Sequence, residues 1–434
     1  MKRILVVTYY WPPTGGSGVQ RWVKFSKYLP AQGWQPVIYT PENPEQLARD
    51  ESLLGDIPSG TEVLKTPIRE PYDIYRRIFG RKKGGAAGGE VNPLNSRKKG
   101  AAAKLAVWVR GNFFVPDPRI FWVKPSVRFL KKYLLEHPVD AIVTTGPPQS
   151  MHLVGLGLKK ALGTGCPRWI VDFRDPWTEM FYFKHMGLGP LARRRHEKLE
   201  QEVLDACNDI ISVTPLVQKD FQSRTSTPVH LITNGFDPDD FSSEDVPWVE
   251  GEFRVTHTGL FAADGNPLEL WGALSDKCAA EPSFRQALRI RLAGKVDADI
   301  VEAINAAGLG ENLCNLGYLP HDKTSLEQRQ ADILMLPLRQ EPEYRKVLPG
   351  KIFEYLAARR PVLGVGQEDG AAATVLADCG AGQMFEWDRR DEMRAFVDRE
   401  WERRKAGGPV GMNSDIGKYS RPELTAALVR LLEK

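Results

Sequence analysis

The nine residues PGKIFEYLA at positions 349–357, followed closely by PVL at positions 361–363, decide how this chain is interpreted. They predict a short helix that begins after Gly350 and leads to a buried strand. Glycine before a helix lets backbone N–H groups approach a ligand, and a helix N-terminus favours anions. Glu354 lies one turn into the helix, where its carboxylate can accept two hydrogen bonds from a diol. The segment predicts a site for an anionic, hydroxyl-bearing ligand; the alternative is a core-packed helix with Glu354 in solvent.

This segment falls in the second of two series in which short apolar runs alternate with helical patterns. Such β-branched runs, bounded by glycine and separated by helices, are typical of parallel sheets covered on both faces. The predicted strands are 3–8, 36–40, 141–145, 169–173, 210–213 and 229–233, then 254–258, 289–293, 314–317, 333–337, 362–365 and 383–385. The predicted helices are 18–32, 149–162, 191–207, 267–280, 297–307, 350–358, 370–378 and 421–432.

The length of 434 residues exceeds what one hydrophobic core usually supports, so two domains are expected. We predict an N-terminal domain over residues 1–240 and a C-terminal domain over residues 253–414. Residues 241–252 hold many acids and prolines without periodicity, and we interpret them as the linker. The final segment, 415–434, carries the last helix. Doubly wound α/β domains bind ligands at the carboxyl ends of their strands, so a ligand is expected there.

The composition is that of an ordinary globular protein, with 42% hydrophobic and 26% charged residues. A net charge of +4 points to no nucleic-acid partner. The five cysteines have no CxxC spacing, which predicts neither a zinc site nor a disulfide framework and favours a reducing, cytoplasmic location. The sequence contains no stretch of 18 apolar residues, so we predict no membrane span.

Two loops of the first series are candidates for ligand contact. Gly15 and Gly16 follow the first strand, but the pattern is not GxGxxG, which disfavours a dinucleotide dehydrogenase. Asp172, Arg174 and Asp175 follow a buried strand directly, and two carboxylates flanking an arginine suit sugar hydroxyls and catalysis. The alternative for this loop is an Arg–Asp pair that only stabilises it.

The second series offers glycine and cations for a phosphate group. Gly259 closes its first strand, where glycine permits backbone contact with a diphosphate, and Lys295 follows the next strand. Arg345, Lys346 and Lys351 crowd the approach to the predicted helix. Together they favour an anionic ligand at this end of the domain.

A possible metal motif, Asp297-Ala298-Asp299, is interpreted as a helix start, because Asp is a favoured N-cap. We predict no metal ion and no tightly bound cofactor. His152 and His257 are single histidines and are predicted to be packed or capping residues.

Taken together, these loops resemble a GT-B glycosyltransferase, and most of all the retaining family 4 enzymes (glycosyl transferases group 1). The likeness covers nearly the whole chain and is clearest over 351–362. It implies two facing Rossmann-like domains, the first for the acceptor and the second for the donor, with the C-terminal helix returning to the first. It further implies metal-independent hexosyl transfer, with retention of configuration, from a nucleotide-diphosphate sugar to a glycan or lipid-linked acceptor in cell-surface polysaccharide or glycolipid synthesis.

By this resemblance Glu354 binds the donor ribose or sugar, and Gly15 and Gly16 lie under the donor diphosphate. The sequence departs from the family pattern where Lys346 replaces the first of two glutamates. A second departure is Gly259-Leu260-Phe261, which lacks the family's basic residues after this strand. The candidate phosphate ligands are then Lys295, Arg345, Lys346 and Lys351.

Two other functions stay open on the same resemblance. A nucleotide-sugar 2-epimerase shares the two-domain fold. A non-catalytic nucleotide-sugar-binding protein would account for Lys346 in place of a glutamate.

Positive charge is concentrated in one low-complexity insert, residues 80–104. Residues 65–104 contain eleven Lys/Arg and three Asp/Glu. Together with the aromatic residues that follow, this predicts contact of residues 81–122 with an anionic membrane, on the inner face, where a lipid-linked acceptor would be presented. The alternative is a solvated loop followed by core aromatic residues.

Overall fold

The computed structural model describes residues 1–45, 49–70, 101–180, 183–241, 246–407 and 415–434. Most of the predicted basic insert, residues 80–100, and part of the predicted linker, residues 242–245, lie outside the described residues. The chain forms two compact units, one of residues 1–233 together with 421–434 and one of residues 234–420. Each unit is built on a parallel sheet with helices packed against it, which is the predicted doubly wound α/β architecture.

In the first unit the described strands form one sheet in the order β3-β2-β1-β4-β5-β6-β7, with every pairing parallel. Since β1 lies between β2 and β4, the strand order reverses there, and the loops after β1 and β4 flank the switch point. The strands are β1 Lys2–Val7, β2 Trp34–Pro41, β3 Glu62–Thr66, β4 Ala141–Gly146, β5 Arg168–Phe173, β6 Asp209–Ser212 and β7 Val229–Leu231.

Both faces of this sheet are covered. Leu5 and Val7 of β1 point into one apolar cluster, whereas Ile4 and Val6 point into another on the opposite face. This explains the continuous apolar runs, since a strand buried on both sides has no polar face. The described helices before β7 are α1 Ser17–Tyr28, α2 Ala101–Phe113, α3 Ile120–Glu136, α4 Ser150–Leu162, α5 Pro190–Ala206 and α6 Pro215–Arg224.

The second unit repeats the arrangement, with its described strands in the order β10-β9-β8-β11-β12-β13. The strand order of this sheet reverses at β8, which lies between β9 and β11. The strands are β8 Phe253–Thr258, β9 Leu288–Ala293, β10 Leu313–Gly317, β11 Ile333–Pro337, β12 Val362–Val365 and β13 Gly382–Phe385. The helices are α7 Leu268–Ala280, α8 Pro282–Ala287, α9 Ala298–Ala306, α10 His321–Arg329, α11 Lys351–Ala358, α12 Ala371–Cys379 and α13 Arg390–Lys405.

The C-terminal helix, α14 (Arg421–Leu432), belongs to the first unit, where it packs against α1. Leu424, Leu428 and Val429 enter the same apolar cluster as Ile4 and Val6 of β1. The last helix of the chain therefore completes the fold of the first unit, as the resemblance implied.

The apolar pattern predicted most elements but not all of them. Strand β3 and helices α2, α3, α6, α8, α10 and α13 were not predicted. Strand β3 and helices α10 and α13 bear few apolar residues, so the apolar pattern does not mark them. The first helix, predicted over 18–32, ends at Tyr28 and is followed by a 3₁₀ turn, Pro30–Gln32. Pro30 lacks the N–H that would continue the α-helical ladder.

Candidate functional site

A left-handed turn follows strand β8 at Gly259, where φ is +94°. A side chain would be strained there, and its Cβ would lie 3.4 Å from the Nζ atom of Lys351. Gly294, after the neighbouring strand β9, has φ +121°, and a Cβ on it would stand 2.3 Å from the carbonyl oxygen of Gly259. The two turns pack directly on each other, and the Gly259 turn lies beneath the Lys351 ammonium.

Helix α11 begins at Lys351, directly after Gly350. Gly350 has φ −55°, an ordinary right-handed conformation, so the backbone does not require glycine here. A Cβ on Gly350 would meet no atom within 4 Å. The space in front of this helix is therefore open, as close approach of a ligand to its N-terminus requires.

The ammonium of Lys351 is held by two groups of the β8 loop. Its Nζ atom lies 3.2 Å from Nε2 of His257 and donates to the carbonyl oxygen of Leu260 at 3.2 Å. Nδ1 of His257 lies 3.1 Å from the carbonyl oxygen of Met335, and Nε2 lies 3.3 Å from that of Leu260. In the neutral tautomer with the proton on Nδ1, Nδ1 donates to Met335 and Nε2 accepts from Lys351. Burial lowers the pKa of Lys351 to about 8.

His257 is completely buried, and burial together with the Lys351 charge holds its pKa well below the usual value. A neutral imidazole is the form that accepts from an ammonium, so the pair places one positive charge, not two, above the Gly259 turn. The sequence predicted a packed residue at this position but gave no sign of its contact with Lys351.

Glu354 lies one turn along the same helix and is only partly buried. Its Oε2 atom accepts a hydrogen bond of 3.0 Å from the side-chain amide of Gln328, on helix α10. The same amide nitrogen donates to the hydroxyl of Thr258 at 2.9 Å. Thr258 in turn donates its backbone N–H to the Tyr355 hydroxyl at 3.0 Å. The carboxylate is thereby tied to the end of strand β8.

Three other predicted donor residues lie on neighbouring loops of this unit. Lys295 is exposed after β9, and its carbonyl oxygen accepts from the N–H of Phe261. Arg345 forms an exposed ion pair of 2.8 Å with Asp369. Lys346 ends the 3₁₀ turn Pro342–Lys346 that precedes helix α11. The structure brings Gly259, Lys351 and Glu354 together most closely.

In the first unit, the predicted glycines lie between β1 and α1. Gly15 is buried, whereas Gly16 is exposed and occupies the N-cap position of α1 with φ +102°. A Cβ on Gly16 would meet no atom within 4 Å. Gly16 is therefore required by its backbone conformation and stands at an open helix N-terminus.

The carboxylate of Asp172 is fully buried and surrounded by donors. It forms a salt bridge of 2.9 Å with Arg21 and accepts hydrogen bonds from Trp22 at 2.7 Å and Thr145 at 2.9 Å. Although burial raises its pKa, these partners, with Arg21 first among them, lower it overall. The carboxylate forms its ion pair with Arg21 of helix α1, not with Arg174 of its own loop.

Arg174 uses its guanidinium to join three loops. It donates to the carbonyl oxygens of Gly18 at 2.7 Å, of Gly146 at 3.2 Å, and of Pro147. These carbonyls belong to the start of α1 and to the loop after β4, on the two sides of the switch point. The pKa of Asp175 is raised by burial, an effect that Arg174 opposes.

Asp297 and Asp299, the two acids of the possible metal motif, belong to no metal site in the described part of the chain. Asp297 is the N-cap residue of α9, but its carboxylate accepts from the N–H of Ala263 at 3.0 Å and makes no hydrogen bond to its own helix. In the part of the chain that the structure describes, no group of three or more His, Cys, Asp or Glu side chains is arranged to hold a metal ion.

The sequence reasoning missed Gln328, Arg21 and the contact of His257 with Lys351. Gln328 lies on helix α10, which was not predicted, and Arg21 faces the core from an amphipathic helix. No local signal distinguishes a buried glutamine or arginine from a solvated one, because burial depends on elements distant in sequence.

Solved structures of known proteins share this fold over essentially the whole chain. WaaG, a glycosyltransferase involved in lipopolysaccharide biosynthesis, is 14% identical, with 99% of this chain and 95% of that chain covered and a TM-score of 0.52. The α,α-trehalose-phosphate synthase (UDP-forming) from Burkholderia vietnamiensis is 14% identical, with 100% of each chain covered and a TM-score of 0.56.

A third similar structure is the UDP-GlcNAc 2-epimerase from Methanocaldococcus jannaschii, 9% identical, with 99% of each chain covered and a TM-score of 0.50. No protein-family model matches the sequence, and the comparison with curated proteins gave no match either. At these identities the likeness shows the fold alone. The chain has the GT-B fold, which glycosyltransferases and nucleotide-sugar epimerases share.

Proposed function

We propose that this protein is a glycosyltransferase that moves a sugar from a nucleotide-diphosphate donor to a glycan or lipid-linked acceptor, with retention of configuration. One observation carries the proposal. The Lys351 ammonium lies over the Gly259 turn, and the Glu354 carboxylate follows one turn along the same helix. A cation above a glycine turn suits a diphosphate, and a carboxylate one helical turn away suits a ribose diol.

The remaining candidates have subsidiary roles in this proposal. Lys295, Arg345 and Lys346 are further phosphate ligands, and Gly350 keeps the helix N-terminus accessible. Gly15 and Gly16 of the first unit are kept as candidates for backbone contact with a ligand. The leaving phosphate itself deprotonates the acceptor, so the reaction needs neither a metal ion nor a dedicated base. Hexosyl transfer is the activity that the resemblance favours.

Asp172, Arg174 and Asp175 were predicted as catalytic residues. For Asp172 and Arg174 we propose a structural role instead. Their hydrogen bonds hold the loops after β1, β4 and β5 in place. Asp175, partly exposed in the same loop, is kept as the candidate for substrate contact.

The test is incubation with a panel of UDP-, GDP- and ADP-sugars, with and without candidate acceptors, and measurement of released nucleotide. Release that depends on an acceptor supports sugar transfer. Inversion at C2 of the donor sugar without an acceptor would instead establish the 2-epimerase, whose fold the chain also shares. Binding without turnover would establish a non-catalytic nucleotide-sugar-binding protein, and no binding would refute all three.

We further propose that the first unit contacts an anionic membrane through residues 81–122, on the cytoplasmic face. Residues 81–100 lie outside the described residues, but helices α2 and α3 expose large aromatic side chains. Trp108 is 44% exposed, Phe113 66% and Phe121 57%, whereas Trp122 is core. No described helix is both long and apolar enough to cross a bilayer.

Vesicle flotation tests this surface. Wild-type protein should float with vesicles that contain phosphatidylglycerol and stay behind with phosphatidylcholine alone. Trp108→Ser combined with Phe113→Ser should weaken flotation, while Leu54→Ser, which changes another exposed apolar residue of the same unit, should not. Equal flotation of both variants would refute the proposed membrane contact through Trp108 and Phe113.

A further inference from the structure

The side-chain amide of Gln328 joins the two halves of the candidate donor site. Its nitrogen has two hydrogens, and the structure gives each an acceptor: Oε2 of Glu354 at 3.0 Å and the hydroxyl oxygen of Thr258 at 2.9 Å. Gln328 is buried and comes from a third element, helix α10. Because a carboxylate only accepts, the amide nitrogen and not its oxygen must face Glu354.

Thr258 is the residue immediately before the Gly259 turn, and Glu354 is the residue proposed to bind the ribose. The amide thus spans from the phosphate-binding turn to the ribose-binding carboxylate. A single Glu354 side chain has several rotatable bonds and, without a partner, would sample several positions. With Oε2 occupied by Gln328, the carboxylate is oriented, and among the described residues its other oxygen, Oε1, has no hydrogen-bond partner that would keep a ligand away.

We propose that Gln328 is a positioning residue that fixes Glu354 for ribose recognition and thereby sets the preference of the site for ribonucleotides over nucleotides without ribose hydroxyls. The inference rests on the proposed function, since it assigns a role within that donor site. The Lys351 ammonium has its own contacts with His257 and Leu260, and two nucleotides that differ only at the ribose present it with the same diphosphate.

The experiment compares two ligands by calorimetry: whichever of UDP, GDP or ADP binds the wild-type protein, and its 2′,3′-dideoxy counterpart. The wild type should prefer the ribonucleotide by about tenfold or more, because a hydrogen bond to a charged group contributes about 1.5 kcal/mol or more. Gln328→Met keeps the length of the side chain but removes both donors. It should reduce that preference to about threefold or less, mainly through weaker ribonucleotide binding.

Gln330→Met is the matched control. Gln330 lies two residues further on and accepts a hydrogen bond from Arg254, away from this site. It should retain the wild-type preference. In the double variant Gln328→Met with Glu354→Ala, the first change should add nothing to the loss of ribonucleotide preference that Glu354→Ala causes alone, because Gln328 acts on that preference only through Glu354.

Retention of the wild-type preference by Gln328→Met would overturn the inference, while nucleotide binding by the wild type would leave the proposed function standing. No nucleotide binding by the wild type would overturn the proposed function and the inference together. If Gln328→Met does not fold, Gln328→Glu replaces it: this side chain has the same length but faces Glu354 with a second carboxylate. Loss of the ribose preference in that variant supports the inference, and its retention refutes it.

Discussion

Arg21 and Asp172 form an ion pair in the first unit from which water is excluded, with the two side chains 1% and 0% exposed. Arg21 also donates to the carbonyl oxygens of Ile232 and Thr233. The pair therefore joins helix α1, strand β5 and the chain after β7. Such a pair is costly to form but more costly to break, because removal of one partner leaves the other charge buried.

We predict that Asp172→Ala destabilises the first unit by about 3–5 kcal/mol, since Arg21 would be left without its carboxylate. Chemical unfolding followed by tryptophan fluorescence measures the loss. Glu197→Ala, a change of an exposed acid on helix α5, should alter stability by less than about 0.5 kcal/mol. A fully stable but inactive Asp172→Ala would favour the catalytic role over the structural one.

For the carboxylate proposed to bind the ribose, we predict that Glu354→Ala weakens binding of the nucleoside diphosphate by about ten- to a hundredfold, because hydrogen bonds to a charged acceptor are lost. Calorimetric titration of the purified protein gives the affinity. Glu368→Ala changes a half-exposed glutamate in the loop after β12 and serves as the control. Unchanged affinity in Glu354→Ala would show that the ribose does not bind there.

The lowered pKa of Lys351, about 8, predicts a pH dependence of diphosphate binding. The ammonium is present below this pKa and is lost as the pH rises through it, whereas a nucleotide phosphate is already fully ionised above about pH 7. Affinity for the nucleoside diphosphate should therefore fall between pH 7 and pH 9, and affinity for the uncharged nucleoside should not. Lys351→Met should bind weakly at both pH values; a surviving pH dependence in this variant would assign it to another group.

Buried neutral histidines predict loss of stability in acid. Burial lowers the pKa of His152 to about 3, below its unfolded value of about 6.5. Between these values the unfolded chain binds the proton and the folded chain does not, so stability is complete above about pH 6.5 and falls as the pH decreases. The slope attributable to this residue is about 1.4 kcal/mol per pH unit.

His152→Asn should reduce the slope of unfolding free energy against pH by that amount between pH 5.5 and pH 4, as measured by denaturant unfolding at each pH. His137→Asn, a substitution of an exposed histidine directly after helix α3, is the control. An unchanged slope in His152→Asn would mean that His152 is protonated in the folded protein.

Much of the fold could be predicted because its signal is local. A strand buried on both faces is mostly apolar, so β1, β4, β5 and β11 stand out in the sequence. Helices such as α11 follow from glycine and apolar spacing. Elements with one narrow apolar face, such as α13, do not stand out in this way.

For the candidate site, too, local features could be predicted from the sequence and contacts between distant elements could not. The sequence by itself determined that the strands are parallel, because apolar runs alternate with helices. It also placed Gly259 at the end of a strand, and Lys351 and Glu354 at the start of a helix, whereas the order of the strands came only from the structure. Only the tertiary structure decided which partners these residues have. Gln328 against Glu354, His257 against Lys351 and Arg21 against Asp172 are contacts between elements distant in the chain. Packing of those elements buries the polar groups and so selects the partners, and no local pattern of residues encodes that choice.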